Sequence, residues 1–82
     1  MIYETTGTCS IEIEVRLNPD HTIEYVEFIG GCSGNTQGIA SLVEGMKAED
    51  AIERMEGIRC GSKPTSCPDQ LSKALRLALQ EL

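Results

Sequence analysis

Between Ile11 and Leu17 the chain alternates strictly, with Ile11, Ile13, Val15 and Leu17 apolar and Glu12, Glu14 and Arg16 charged. A period of two predicts a strand with one face on a core and one acidic face in water. Asn18-Pro19-Asp20-His21 then supplies residue types that close tight turns, and Thr22 to Ile29 runs back rich in β-branched and aromatic residues. The pair reads as an antiparallel hairpin with Leu17 opposite Thr22 or Ile23. In the second strand Ile23 and Tyr25 share one parity while Val26 and Phe28 share the other, which predicts a bulge near Tyr25. Residues before Ile11, from Tyr3 to Thr6, are candidates for a third strand.

After the glycine-rich segment Gly30-Gly31-Cys32-Ser33-Gly34-Asn35 the apolar spacing changes. Ile39, Leu42, Val43 and Met46 mark one face of a helix, with Ser33 or Asn35 as its cap. A second short helix fits Ala48 to Glu56, with Ala51, Ile52 and Met55 inward, Asp50 and Arg54 paired one turn apart, and Gly57 as its stop. A third starts with Pro68 at the first helical position and Asp69 at the positive end of the dipole. Leu71, Leu75, Ala78, Leu79 and Leu82 form its inward stripe. The expectation is an α+β fold, an antiparallel β-hairpin or small sheet packed against two or three helices, in one domain over residues 1–82. The leucine-rich last helix, with Leu77 off its stripe, is expected to cover the sheet or to mediate a homodimer.

Composition changes this picture in two ways. With 82 residues, 40% of them apolar and only 4% aromatic, the core must be aliphatic and modest, so a covalent or metal staple is expected. Seven Lys and Arg against 13 Asp and Glu give a net charge of -6, which excludes duplex DNA and anionic membranes as partners bound by bulk electrostatics. Met1 to Ser10 has neither a positive start nor an apolar stretch, so a cytoplasmic location is expected. In that reducing setting four cysteines point to metal or redox chemistry before structural disulfides.

Twenty-two residues separate Cys9 from Cys32, twenty-seven separate Cys32 from Cys60, and six separate Cys60 from Cys67. No pair has the short spacing of zinc knuckles or thioredoxin motifs. Topology strengthens the signal, because the hairpin register brings Cys9 opposite a residue close to Cys32. The Gly61-Ser62-Lys63-Pro64-Thr65-Ser66 loop between Cys60 and Cys67 would bring the other two thiols to the same open end. Four thiolates in a tetrahedron suit zinc, or alternatively iron or an iron-sulfur cluster. Reversible disulfides, a thiol-disulfide carrier using Cys60 and Cys67, and inert buried thiols are the other readings. Cys67 is further marked by its place at a helix start, where unpaired N–H groups favour a thiolate. The only histidine, His21, falls in the hairpin turn away from the thiols and reads as a solvated turn residue, which argues against a Cys-His couple.

Ser33, Gly34, Asn35 and Thr36 offer N–H groups and hydroxyls at a helix start, the way anions and phosphates are commonly held. Arg59 and Lys63 make the 57–68 loop the one locally basic segment, so a nucleotide or phosphate site between the two loops is a third reading. The alternative is a tight strand-to-helix turn around a ligand cysteine. Glu4, Glu12, Glu14, Glu24 and Glu27 read as a solvated sheet face.

Four blocks then carry a resemblance: Gly7-Thr8-Cys9-Ser10, Gly30-Gly31-Cys32-Ser33-Gly34-Asn35, Gly57-Ile58-Arg59-Cys60-Gly61 and Thr65-Ser66-Cys67-Pro68-Asp69. In this order they make the whole chain similar to the small four-cysteine TSCPD proteins, distant relatives of a C-terminal domain in adenosylcobalamin-dependent ribonucleotide reductases. The resemblance singles out Cys9, Cys32, Cys60 and Cys67 and implies a link to deoxynucleotide synthesis, with a ribonucleotide reductase or another protein as partner. A chain of 82 residues cannot itself contain that enzyme's radical-generating barrel, so an accessory or interaction module is the expectation.

Overall fold

The computed structural model describes residues 1–7, 12–30 and 33–82. Its elements in chain order are β1 (Ile2–Glu4), β2 (Glu12–Leu17), β3 (Ile23–Ile29), α1 (Ser33–Val43), α2 (Ala48–Met55) and α3 (Cys67–Gln80). The three strands form one antiparallel sheet in the order β1-β2-β3. The α+β expectation therefore holds, with the hairpin joined by a third strand. That strand is Ile2–Glu4 rather than Tyr3 to Thr6, and it is fixed at its start by mutual hydrogen bonds between Met1 and Val15. The start of the alternating segment, Ile11, lies outside the described residues.

The hairpin register pairs Glu12 with Ile29, Ile13 with Phe28, Val15 with Val26 and Leu17 with Ile23. The step between Arg16↔Tyr25 and Leu17↔Ile23 leaves Glu24 as the extra residue, so the bulge falls beside Tyr25 as the parity change predicts. Ile13, Val15, Ile23 and Val26 point inward and are buried. On the outer face Arg16 bonds Glu14 and lies over the Tyr25 ring, while Tyr25 donates to Glu27. The turn closes through Asn18 and Thr22, and His21 takes a left-handed backbone with φ 74°. His21 is more than a solvated turn residue, because its Nδ1 pairs with Glu49 on α2.

The connection between α1 and α2 is laced to the start of β3. Ile23 donates to Met46, Gly45 donates to Ile23, and Ala48 donates to His21, each at 2.8 Å. These bonds set the angle at which α2 leaves the hairpin. From there α2 packs on α3, α3 packs on β2, and α1 packs on β3. All three helices thus lie on one face of the sheet around an aliphatic core that includes Ile52, Leu71, Ala74 and Leu75.

Two sequence expectations about helix faces change. On α1 the buried stripe is Thr36, Ala40 and Val43, while Leu42 is 78% exposed. Small side chains at 36 and 40 face the core, and Leu42, one residue before the buried Val43, is turned away from it. On α3 Leu71, Leu75 and Ala78 are buried as expected, but Leu82 lies past the helix end and is 57% exposed. The Asp50–Arg54 pair expected on α2 does not form, and no ion pair involves either residue among the described residues. None of the helices is long and apolar enough to cross a membrane among the described residues.

The packing predicts a contrast between two leucines of the expected α3 stripe. Leu75→Ala, at a fully buried site, should lower unfolding free energy by about 3 kcal/mol in urea titrations, whereas Leu82→Ala should change it by less than about 0.5 kcal/mol.

Candidate cysteine site

The segment Thr65-Ser66-Cys67-Pro68-Asp69 opens α3, and each residue has a separate job. Ser66 is the N-cap: its hydroxyl accepts from the Asp69 N–H at 3.2 Å and donates to the Ile58 carbonyl at 2.6 Å. Cys67 is the first helical residue and Pro68 the second, one place later than expected, where the missing N–H is still harmless. Asp69 is 5% exposed, and its carboxylate accepts from the Thr65 hydroxyl and, at 2.8 Å, from the Gly57 N–H. Gln70, 2% exposed, donates to Thr65 at 2.9 Å and accepts from the Thr6 N–H at 3.2 Å. Among the described residues every buried side-chain nitrogen and oxygen has a partner.

This network ties three separate stretches of chain together. Asp69 holds Gly57, which lies shortly before Cys60, and Ser66 holds Ile58. Gln70 holds Thr6, which lies shortly before Cys9. Gly7 has φ 73°, and a β-carbon there would sit 3.1 Å from the Thr65 methyl, so both the backbone and the close approach call for glycine. Cys60 is held in the same arrangement by donating to the Thr65 carbonyl at 3.2 Å and accepting from the Lys63 N–H at 3.0 Å.

Burial alone would raise the Asp69 pKa, but the hydrogen bonds from Thr65 and Gly57, helped by Lys73, outweigh it and hold the carboxyl below its ordinary value. The group is therefore ionised across the neutral range at a helix start, where a negative charge is favoured.

Cys60, exposed, and Cys67, half-buried, line one cleft of about 360 Å³. Its other walls are Asn35, Thr36 and Ile39 of α1 together with Ser66 and Pro68. The structure thus brings two of the expected ligand cysteines together with two of the expected anion-binding residues. Gly34 is exposed at the start of α1. Ser33 is the first residue of that helix, and the position before it, Cys32, lies outside the described residues, as does Cys9. Arg59 and Lys63 are exposed and do not line the cleft. Among the described residues no group of three or more His, Cys, Asp or Glu side chains is placed to hold a metal ion, and the expected four-thiol set draws half its members from beyond those residues. Thr65 and Gln70 were not singled out by sequence reasoning. The Ser66 cap was legible as Ser-x-x-Asp ahead of an apolar stripe.

A small sheet with three helices on one face and thiols gathered at a helix start defines a compact cysteine-bearing α+β module. The TSCPD domain family model matches residues 1–79, and the chain belongs to the TSCPD domain family. Searches among curated proteins and among solved structures found no match.

The ionised Asp69 contributes stability that is present above its unfolded pKa and is lost as pH falls through its lower folded pKa. Unfolding free energy should therefore fall as pH drops below about 4, and the drop should be shallower in Asp69→Asn. At neutral pH Asp69→Asn should cost about 2 kcal/mol in chemical denaturation, and Ser66→Ala about 1 kcal/mol.

Proposed function

We propose that this chain is a metal-binding TSCPD module in which Cys9, Cys32, Cys60 and Cys67 hold one zinc ion, and that it serves ribonucleotide reduction as an accessory domain in the cytoplasm. The observation that carries the reading is the meeting of Cys60 and Cys67 in one cleft walled by α1, next to a network in which Gln70 holds Thr6. α1 and Thr6 belong to the segments that carry Cys32 and Cys9. The hairpin register adds support. Its last described rung is Glu12↔Ile29, and Cys9 and Cys32 each lie three residues beyond it along the chain.

Thiolate donors favour zinc or iron over hard cations, and a four-thiolate set suits a structural role because it leaves no open position. In such a site the metal cross-links β2, α1, the 57–66 loop and α3. Of these, the 57–66 loop is the part that contributes nothing to the aliphatic core. Arg59 and Lys63 on the loop that carries Cys60 would offset part of the excess negative charge. A protein partner in deoxynucleotide synthesis is the functional context that the family suggests, with the metal-braced module as the recognised surface.

One specific observation favours a second reading, a thiol-disulfide carrier: the exposed Cys60 and the helix-start Cys67 share one cleft. Metal analysis separates the readings. Protein purified without chelator should carry about one zinc per chain, and stripping it should lower the melting temperature steeply, because binding free energy is then folding free energy. Serine at any one of the four positions should lower metal content equally. A metal-free, stably folded protein in which only Cys60→Ser and Cys67→Ser change thiol reactivity would replace the zinc reading with the carrier.

A further inference from the structure

Beside the cysteine cleft runs a second concavity that the metal reading does not use. A groove of about 620 Å³ lies between α1 and α2, and among the described residues that line it Arg54 alone is charged. Leu42, 78% exposed, stands on its rim, and Ile58, 43% exposed, lines one side. In a chain with 13 carboxylates and a net charge of -6, a groove with no acidic lining residue among the described residues limits the repulsion between two copies that meet there.

The charges at its edge are uncommitted. Asp50 and Arg54 lie four residues apart on α2 and flank a neighbouring depression together with Glu53. Neither Asp50 nor Arg54 takes part in an ion pair among the described residues, either with the other or with a third residue. An isologous contact needs both halves of every interaction on one chain, side by side. Here the protruding leucine adjoins the apolar groove that would receive it, and the unpaired cation adjoins the unpaired anion.

We propose that the α1–α2 groove is the interface of a two-fold dimer of this chain. In it Leu42 of each copy enters the other's groove, and the two α2 helices cross antiparallel so that Arg54 of each copy faces Asp50 of the other. Four residues on a helix span about 6 Å, so an axis passing midway between Asp50 and Arg54 forms the ion pair twice. Burying Leu42 and Ile58 supplies the apolar part of the contact, and the ion pairs fix its direction. α3, the dimer element suggested by its leucine content, spends its stripe on the core instead. The groove shares Ile39 and Pro68 with the cysteine cleft, so the dimer would set the two clefts beside its edges. The proposal uses no cysteine and does not depend on the metal.

The test is the oligomeric state of the purified full chain, by sedimentation velocity and light scattering from about 5 to about 500 µM, a range that brackets a micromolar association. A concentration-dependent dimer is expected. Leu42→Glu should raise its dissociation constant at least about tenfold while leaving circular dichroism and melting temperature of the monomer unchanged, since the side chain is outside the core. Asp50→Arg alone and Arg54→Asp alone should each weaken it, and the double exchange should restore it, because the reversed pair is again complementary. A monomer at every concentration overturns the proposal, as does a dimer indifferent to Leu42→Glu. A double exchange no better than the single changes also overturns it, since other contacts would then hold the copies.

Discussion

The Asp69 carboxylate is the group on which the cysteine end of this molecule depends. A buried charge is tolerated only when its lone pairs are taken up, and a lost partner leaves a large desolvation penalty. Here the Thr65 hydroxyl and the Gly57 N–H take them, and the start of α3 supplies a favourable field. The charge therefore selects one arrangement of the 57–66 loop over the many that an exposed, glycine-containing stretch would otherwise sample. Thr65 is then committed, and its second contact, from Gln70, extends the order to Thr6 and the end of the first strand segment. From one carboxylate the constraint spreads to three of the chain segments that lead to cysteines.

The other end is organised by backbone pairing instead. The hairpin turn, the bulge at Glu24 and the lacing of residues 45–48 to Ile23 and His21 fix where α2 begins. Since α2 packs on α3, this end determines the angle at which α3, and with it Cys67, meets the sheet. The two ends communicate through aliphatic packing, with Ala51, Ile52 and Met55 on one side and Leu71, Ala74 and Leu75 on the other, and through the ion pair between Arg76 on α3 and Glu56 at the end of α2. Two of these six are alanines, Ala51 and Ala74, which allow close approach but contribute little buried area each. Such a core fixes shape more effectively than it supplies stability.

How much of this could be read in the sequence follows from the range of each interaction. Strands, hairpin register, bulge and the three helices follow from local periodicity and are recovered within a few residues. The error at Leu42 has a local cause as well: counting only large apolar residues selects 39, 42, 43 and 46, while the face on the core is set by Thr36, Ala40 and Val43. Helices approach a sheet most closely through small side chains, so the small residues carried the signal. The Thr6–Gln70 bond joins positions 64 apart, and no periodicity announces a contact of that separation. The same holds for Gly57 and Asp69, whose link depends on the path of an irregular loop.

The TSCPD run itself illustrates how a short motif can be mostly architecture. Thr65 and Asp69 hold each other and their neighbours, Ser66 caps the helix, and Pro68 shapes its first turn. Four of the five residues are thus used by local structure, and Cys67 alone presents a reactive atom to the cleft. The motif is best understood as a device that presents one thiol at a fixed angle on a rigid helix start. On the proposed zinc reading such precision would matter, because a metal–thiolate site tolerates only a few tenths of an ångström in ligand distance. A thiol on a loose loop would have to be ordered at the moment of binding, with the attendant loss of conformational entropy. On that reading, the order that a buried charge and a helix cap already impose on Cys67 would lower that entropic penalty.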